Sequence, residues 1–260
     1  MSKEIQNRGV IYVVSPGFNC EASIRYWYNS LKLQSYKYWV AYAIDDVSDD
    51  NTSNILYELS QIDPRVKFIR RNQHYYQLGN WYDIIHNEIG YNRFVIRLDL
   101  DDWLGSRYVF ENIIKEYWVR ECDVFTITER CLSTMYDDNC SYRWVGKSKE
   151  DVLNAKWTGD SLFCFNSNYF LTIPKEHFLD ESDNFVRCAG DIAITFPIFY
   201  QGIDKLHHLF IPDGLMYDDI RPPHLNDDNL KTSDGQRLQF YWGDIFDKRF
   251  KQEVKDGIYE

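Results

Sequence analysis

Four short and almost continuously apolar runs recur in the first hundred residues: 9–15 (GVIYVVS), 38–44 (YWVAYAI), 66–69 and 94–98. Runs of this length without polar alternation are buried on both faces, as parallel strands covered by helices are. Helical patterns separate them. Ala22, Ile24, Trp27, Leu31 and Leu33 space the first helix; Ile55, Leu56 and Leu59 follow the cap-rich segment 48–53; residues 78–89 read as a third. The pattern predicts an α/β chain with a mostly parallel, Rossmann-like central sheet flanked by helices and joined by right-handed crossovers. Ligands of such sheets gather outside the carboxyl ends of the strands. Ser15, Asp45, Asp46, Asp99 and Asp101 are therefore predicted along one edge.

The second half is less regular. Ser106 is predicted to open a helix through Phe110, Ile113, Ile114 and Trp118, and residues 123–128 a strand. Residues 131–160 are polar but carry Tyr136, Trp144 and Trp157, a composition that suits a binding lid. A strand is predicted at 161–165, an apolar helix from Gly190-Asp191 to Tyr200, and a last strand at 206–211. The polar tail from about 226 is predicted to hold only a short helix, near 247–256.

The fourth run ends in Asp99-Leu100-Asp101-Asp102. Burying an unpaired carboxylate costs several kcal/mol even after relaxation, so three of them at a central strand's end call for a compensating positive charge. A divalent cation carrying a phosphate supplies one. The bland alternative is a solvated acidic turn, with Asp102 or Ser106 capping the next helix.

A net charge of −11 argues against gripping nucleic acid through phosphate neutralisation. The six cysteines form no Cys-x-x-Cys pair, and no His-x-x-x-His occurs, which argues against zinc. No apolar run reaches the ~18 residues of a membrane span, and no signal peptide is evident. A cytoplasmic protein without a transmembrane segment is expected, its thiols reduced.

Four local patterns together resemble the GT-A-fold, family-two inverting glycosyltransferases over roughly residues 9–224. Pro16-Gly17-Phe18-Asn19 is similar to the family's Pro-x-x-Asn, and Asp45-Asp46-Val47-Ser48-Asp49-Asp50 to its Asp-Asp-Gly-Ser-x-Asp. Arg71-Asn72 with Gly79-Asn80 is similar to its Asn-x-Gly segment, and Asp99-Leu100-Asp101-Asp102 to its Asp-x-Asp-Asp. The resemblance implies one GT-A domain over 1–260: a nucleotide-sugar half at 9–104, a smaller acceptor half at 105–225 and a tail at 226–260. It implies a nucleotide-sugar donor, UDP-linked by default, and a carbohydrate or other hydroxyl acceptor. Ser15, Pro16, Asn19, Asp45, Asp46, Asn72, Gly79, Asn80 and Asp99 would hold the nucleotide. Asp99, Asp101 and His224 would hold Mn²⁺ or Mg²⁺, with Asp102 only supporting or capping. The Glu-Asp that supplies the family's general base is matched by Gly190-Asp191, so Asp191 takes the base position, with Asp160 as the fallback. The glycine is a departure, since Glu is usual there.

Two other functions share these residues. A haloacid-dehalogenase-like phosphohydrolase also ends a strand in Asp-x-Asp, although on its first strand and without a tryptophan at the position of Trp103. A non-catalytic GT-A-like glycan-binding module would keep the fold and lose the chemistry.

Overall fold

The computed structural model describes residues 9–131, 136–138, 143–155, 162–217 and 233–259. Asp160, His224, Trp157 and the 218–221 segment lie outside the described residues. The first half alternates as the apolar runs require: β1 (Ile11–Gly17), α1 (Ile24–Lys32), β2 (Trp39–Asp45), α2 (Thr52–Ile62), β3 (Val66–Arg70), α3 (Tyr76–Ile84, continued by a π-helical turn over Ile85–Ile89) and β4 (Phe94–Arg97). These four strands pair in parallel in the order β3-β2-β1-β4.

Alternate residues of each strand serve opposite faces. Ile11, Val13, Phe94 and Ile96 pack on α1 and α2 through Ile24, Trp27, Leu31, Leu56 and Leu59. Val14, Ile44 and Val95 pack on α3 through Leu78, Trp81 and Ile84. A strand enclosed on both faces has no polar phase, which is why these segments read as unbroken apolar runs.

The second half extends the sheet. After α4 (Val109–Arg120) come β5 (Val124–Ile127), β6 (Glu129–Cys131), β7 (Tyr136–Asp138), α5 (Lys149–Asn154), β8 (Cys164–Asn166), α6 (Ser167–Leu171), α7 (Gly190–Gly202), β9 (Leu206–Leu209), β10 (Leu215–Tyr217) and α8 (Ser233–Lys255). Strand β8 runs antiparallel between β4 and β5, and β9 closes the edge parallel to β5. A second, three-stranded sheet, β10-β6-β7, stands apart.

Three expectations change. The tail helix has 23 residues, not ten, and buries Phe246 and Phe250 against α7; its polar average concealed a narrow apolar stripe. Gly243 lets it come close, since a Cβ there would stand 2.8 Å from Ile192 Cδ1. Trp144, expected in a sugar-stacking lid, is buried against Phe196 and Phe199. The helix expected to start at Ser106 starts at Val109; the Ser106 hydroxyl accepts from Tyr108 N–H (3.3 Å), and Asp102 does not cap that helix. No described helix is long and apolar enough to cross a membrane.

Helix α7 carries an internal proline. Pro197 has no N–H for the carbonyl of Ala193, four residues back, so that acceptor is orphaned within the helix. His177 Nε2 donates to it from outside at 3.0 Å. His177 Nδ1 meets both Glu253 oxygens (2.9 and 3.0 Å), and Tyr259 donates to Glu253 at 2.5 Å. The His177 ring thus pins α8 to α7.

Candidate active site

Beyond β4 the chain stays beside β1: Leu98 N–H donates to Val14 O (3.4 Å) and Leu100 N–H to Pro16 O (3.2 Å). Leu98 and Leu100 are buried in the α1 face of the core. Gly17 permits this approach, because a Cβ there would lie 2.7 Å from that of Leu100. Ser23 Oγ donates to Leu100 O (3.0 Å), and Trp103 exchanges backbone hydrogen bonds with Met216 of β10 (2.8 and 3.0 Å). The acidic turn is thereby held between β1, α1 and the small sheet.

Its charges converge on one cation. The half-buried Arg97 side chain is ion-paired with Asp191, in the first turn of α7. Burial alone would ease its proton off, but Asp191, Asp99, Glu129 and Asp102 together hold it more firmly than usual. The Asp102 carboxyl is pushed well above the ordinary range, first by burial and then by Asp99, against the opposing pull of Arg97. Four carboxylates thus share one guanidinium, and the surplus is negative. Asp102 therefore belongs to the acidic cluster rather than to a helix cap. Arg97 and Glu129 carried no signal in the sequence beyond Arg97's place two residues before Asp99.

Asp46 and Asp45 play different parts. Asp46 Oδ1 accepts from Tyr75 N–H and Asn80 Nδ2 (both 2.9 Å), and Oδ2 accepts from Tyr76 N–H (3.0 Å) and faces His74 Nδ1 (3.3 Å). It caps α3 from a distance, supplying the acceptors that the first N–H groups of a helix lack. Asn80, fully buried, completes this hub by accepting from Arg71 Nε at 2.8 Å. Asp45 is also fully buried; its Oδ1 accepts from Ser48 N–H (2.9 Å), while Oδ2 has no hydrogen-bond partner among the described residues and lies 3.8 Å from Arg70 Nε.

The other residues singled out by sequence fall into place around these. Asn19 ties the first two loops together: its N–H donates to Ser48 Oγ, and its Oδ1 accepts from Asp49 N–H, each at 2.9 Å. The Ser15 hydroxyl accepts from the Trp27 indole N–H (2.9 Å), and its backbone lies within the β1–β2 pairing, two residues short of the strand end. Gly79 packs under Phe185, whose ring would meet a Cβ at 2.8 Å. Asn72 is exposed. Asp101 lies half-buried in the acidic turn. Among the described residues no three His, Cys, Asp or Glu side chains form a ready-made metal cage.

The profile of Glycosyl transferase family 2 matches residues 12–128, a span that runs from β1 through the acidic turn to β5. Over this segment the chain is similar to the family 2 glycosyltransferases. Solved structures share the fold. S. aureus TarS superposes with a TM-score of 0.62 at 15% identity, over 80% of this chain and 36% of that one. Its 1–349 segment in complex with UDP-GlcNAc gives 0.61 at 13%, over 89% and 66%. The mannosyltransferase PcManGT from Pyrobaculum calidifontis, in complex with GDP-Man and Mn²⁺, gives 0.51 at 13%, over 82% and 57%. The chain thus spans about a third of the longest TarS chain. No curated protein matches the sequence. The seven-stranded sheet with its flanking helices is the GT-A fold.

Proposed function

We propose that this chain transfers one sugar from a nucleotide-sugar, UDP-linked, to a hydroxyl of a glycan or other acceptor, with inversion at the anomeric carbon. The observation that carries this reading is the acidic turn, clamped beside β1 with Arg97 and Asp191 against it. Residues 9–104 form the donor half and 105–225 the acceptor half. Asp46 or Asp45, with Asn19 and the Ser15 backbone, reads the base by accepting from the imide N–H of uracil; Asp46 also shapes the loop through its four contacts.

The acidic surplus suits a hard divalent ion, Mn²⁺ or Mg²⁺. Such ions at nucleotide sites take one or two protein carboxylates and complete their shell with phosphates and water, so a three-residue cage is not required. Asp99 and Asp101 would hold it, with His224 as a further ligand. When bound, the ion offsets the charge that develops on the departing diphosphate. Asp191 accepts the proton of the acceptor hydroxyl as its oxygen attacks the anomeric carbon and the bond to the diphosphate breaks. Arg97 fixes the direction of that carboxylate.

Nucleoside-diphosphate release from UDP-, GDP- and dTDP-sugars, measured with Mn²⁺ and a panel of hydroxyl acceptors, tests the reading. Acceptor-dependent release supports it. Donor binding without turnover across the panel favours the glycan-binding module.

A further inference from the structure

We infer that Gln77 is a positioning residue for Asp99, and that its side chain is the reason position 190 is glycine. The inference rests on the glycosyltransferase reading and deepens it. Gln77 lies in the first turn of α3, whose start is held by Asp46. Its Nε2 donates to Asp99 Oδ2 at 2.9 Å. An ionised carboxylate only accepts, so the amide nitrogen must face Asp99 and the oxygen must face away. That oxygen points at α7: a Cβ at Gly190 would stand 2.5 Å from it.

Among the described residues nothing else crowds Gly190 as closely; the next contacts of that Cβ would be Gln77 Cδ and Leu78 Cδ2, both at 3.5 Å. The Gln77 side chain is flexible and would yield to a larger residue. Yielding would swing its amide off Asp99. The cost of a side chain at 190 therefore falls on the acidic turn rather than on packing. A chain of contacts runs from Asp46 through the α3 N-terminus and Gln77 to Asp99, linking the proposed base-reading loop to the proposed diphosphate end. Asp191 follows directly after the glycine, so one amide sets the spacing between Asp99 and the helix that presents the base.

Partners one step removed from a metal ligand typically change affinity or activity by 10–100-fold when removed. Calorimetric titration of the whole chain with UDP, GDP and dTDP in the presence of Mn²⁺, together with thermal melting, tests the inference. Gln77→Ala is expected to weaken nucleotide binding about tenfold with an unchanged melting temperature. Gln77→Glu, which fills the same space but sets a carboxylate against Asp99, is expected to weaken it at least as much. Gly190→Ala is expected to weaken binding in the native background and to add nothing in the Gln77→Ala background, the non-additivity that marks a direct contact. Gln77→Ala that binds like the native chain, or a Gly190→Ala effect of equal size in both backgrounds, overturns the inference while the donor site stands. A native chain that binds none of the three nucleotides overturns the donor site itself, and Gln77's role with it.

Discussion

Arg97, the last residue of β4, is ion-paired with Asp191, the second residue of α7. The pair joins the half of the chain that carries the family profile to the half that lies beyond it. Replacing Arg97 by Met would leave Asp191, Asp99, Asp102 and Glu129 without their shared counter-charge. Loss of transfer by at least about 100-fold is expected, the scale of a misplaced general base, and steady-state kinetics on a saturating donor would measure it.

The second loop holds a β-branched residue where left-handed backbone favours glycine. Val47 has φ 71°, a conformation that costs an L-residue about 1–2 kcal/mol. Val47→Gly removes that cost and returns up to ~1 kcal/mol in chain entropy. A net gain near 1 kcal/mol, or a rise of about 2–4 °C in melting temperature, is expected from thermal denaturation.

Asp46 is an internal cap. Asp46→Ala strands the half-buried Tyr75 and Tyr76 N–H groups and leaves the Asn80 amide only its bond to Tyr76 O, at a cost of about 1–3 kcal/mol. Urea unfolding should show a lower midpoint at constant slope. Hydrogen exchange should show faster opening at the start of α3 than elsewhere.

His208, between Thr126 Oγ1 (2.8 Å) and Thr128 Oγ1 (3.4 Å), is lowered to about 4 by burial and then by His207, from an ordinary value of 6.5. Between those values the unfolded chain binds more protons than the folded one, so stability rises with pH across that window and falls as pH drops through it. About 3 kcal/mol should be lost between pH 7 and pH 4. A His208→Asn variant should lose that part of the pH dependence in denaturant titrations at several pH values.

How far the molecule was legible in its sequence follows from what each residue touches. The first four strands could be read because each is buried on both faces and keeps one unbroken apolar phase, from Ile11 to Val14 and from Phe94 to Ile96. The antiparallel β8 was visible as a strand, but its place between β4 and β5 depends on long-range pairing that no local pattern encodes. Helix α8 was underestimated because Phe246 and Phe250 are spaced among charged residues. At the site, the acidic turn was plain, yet the different contacts of Asp45 and Asp46 were not. They depend on which N–H groups of α3 arrive 29 and 30 residues later. Gly190 departs from the usual Glu beside Asp191, and only the fold brings Gln77 Oε1 to within 2.5 Å of where its Cβ would stand.

The central claim is that the acidic turn holds the donor while Asp191 moves the proton. Mn²⁺-dependent UDP binding and sugar transfer, measured side by side on Asp101→Ala and Asp191→Asn, test it most directly. The account predicts that Asp101→Ala abolishes the binding, whereas Asp191→Asn binds like the native chain and loses transfer by about 10²–10⁴-fold. Equal loss of binding in both variants would contradict it.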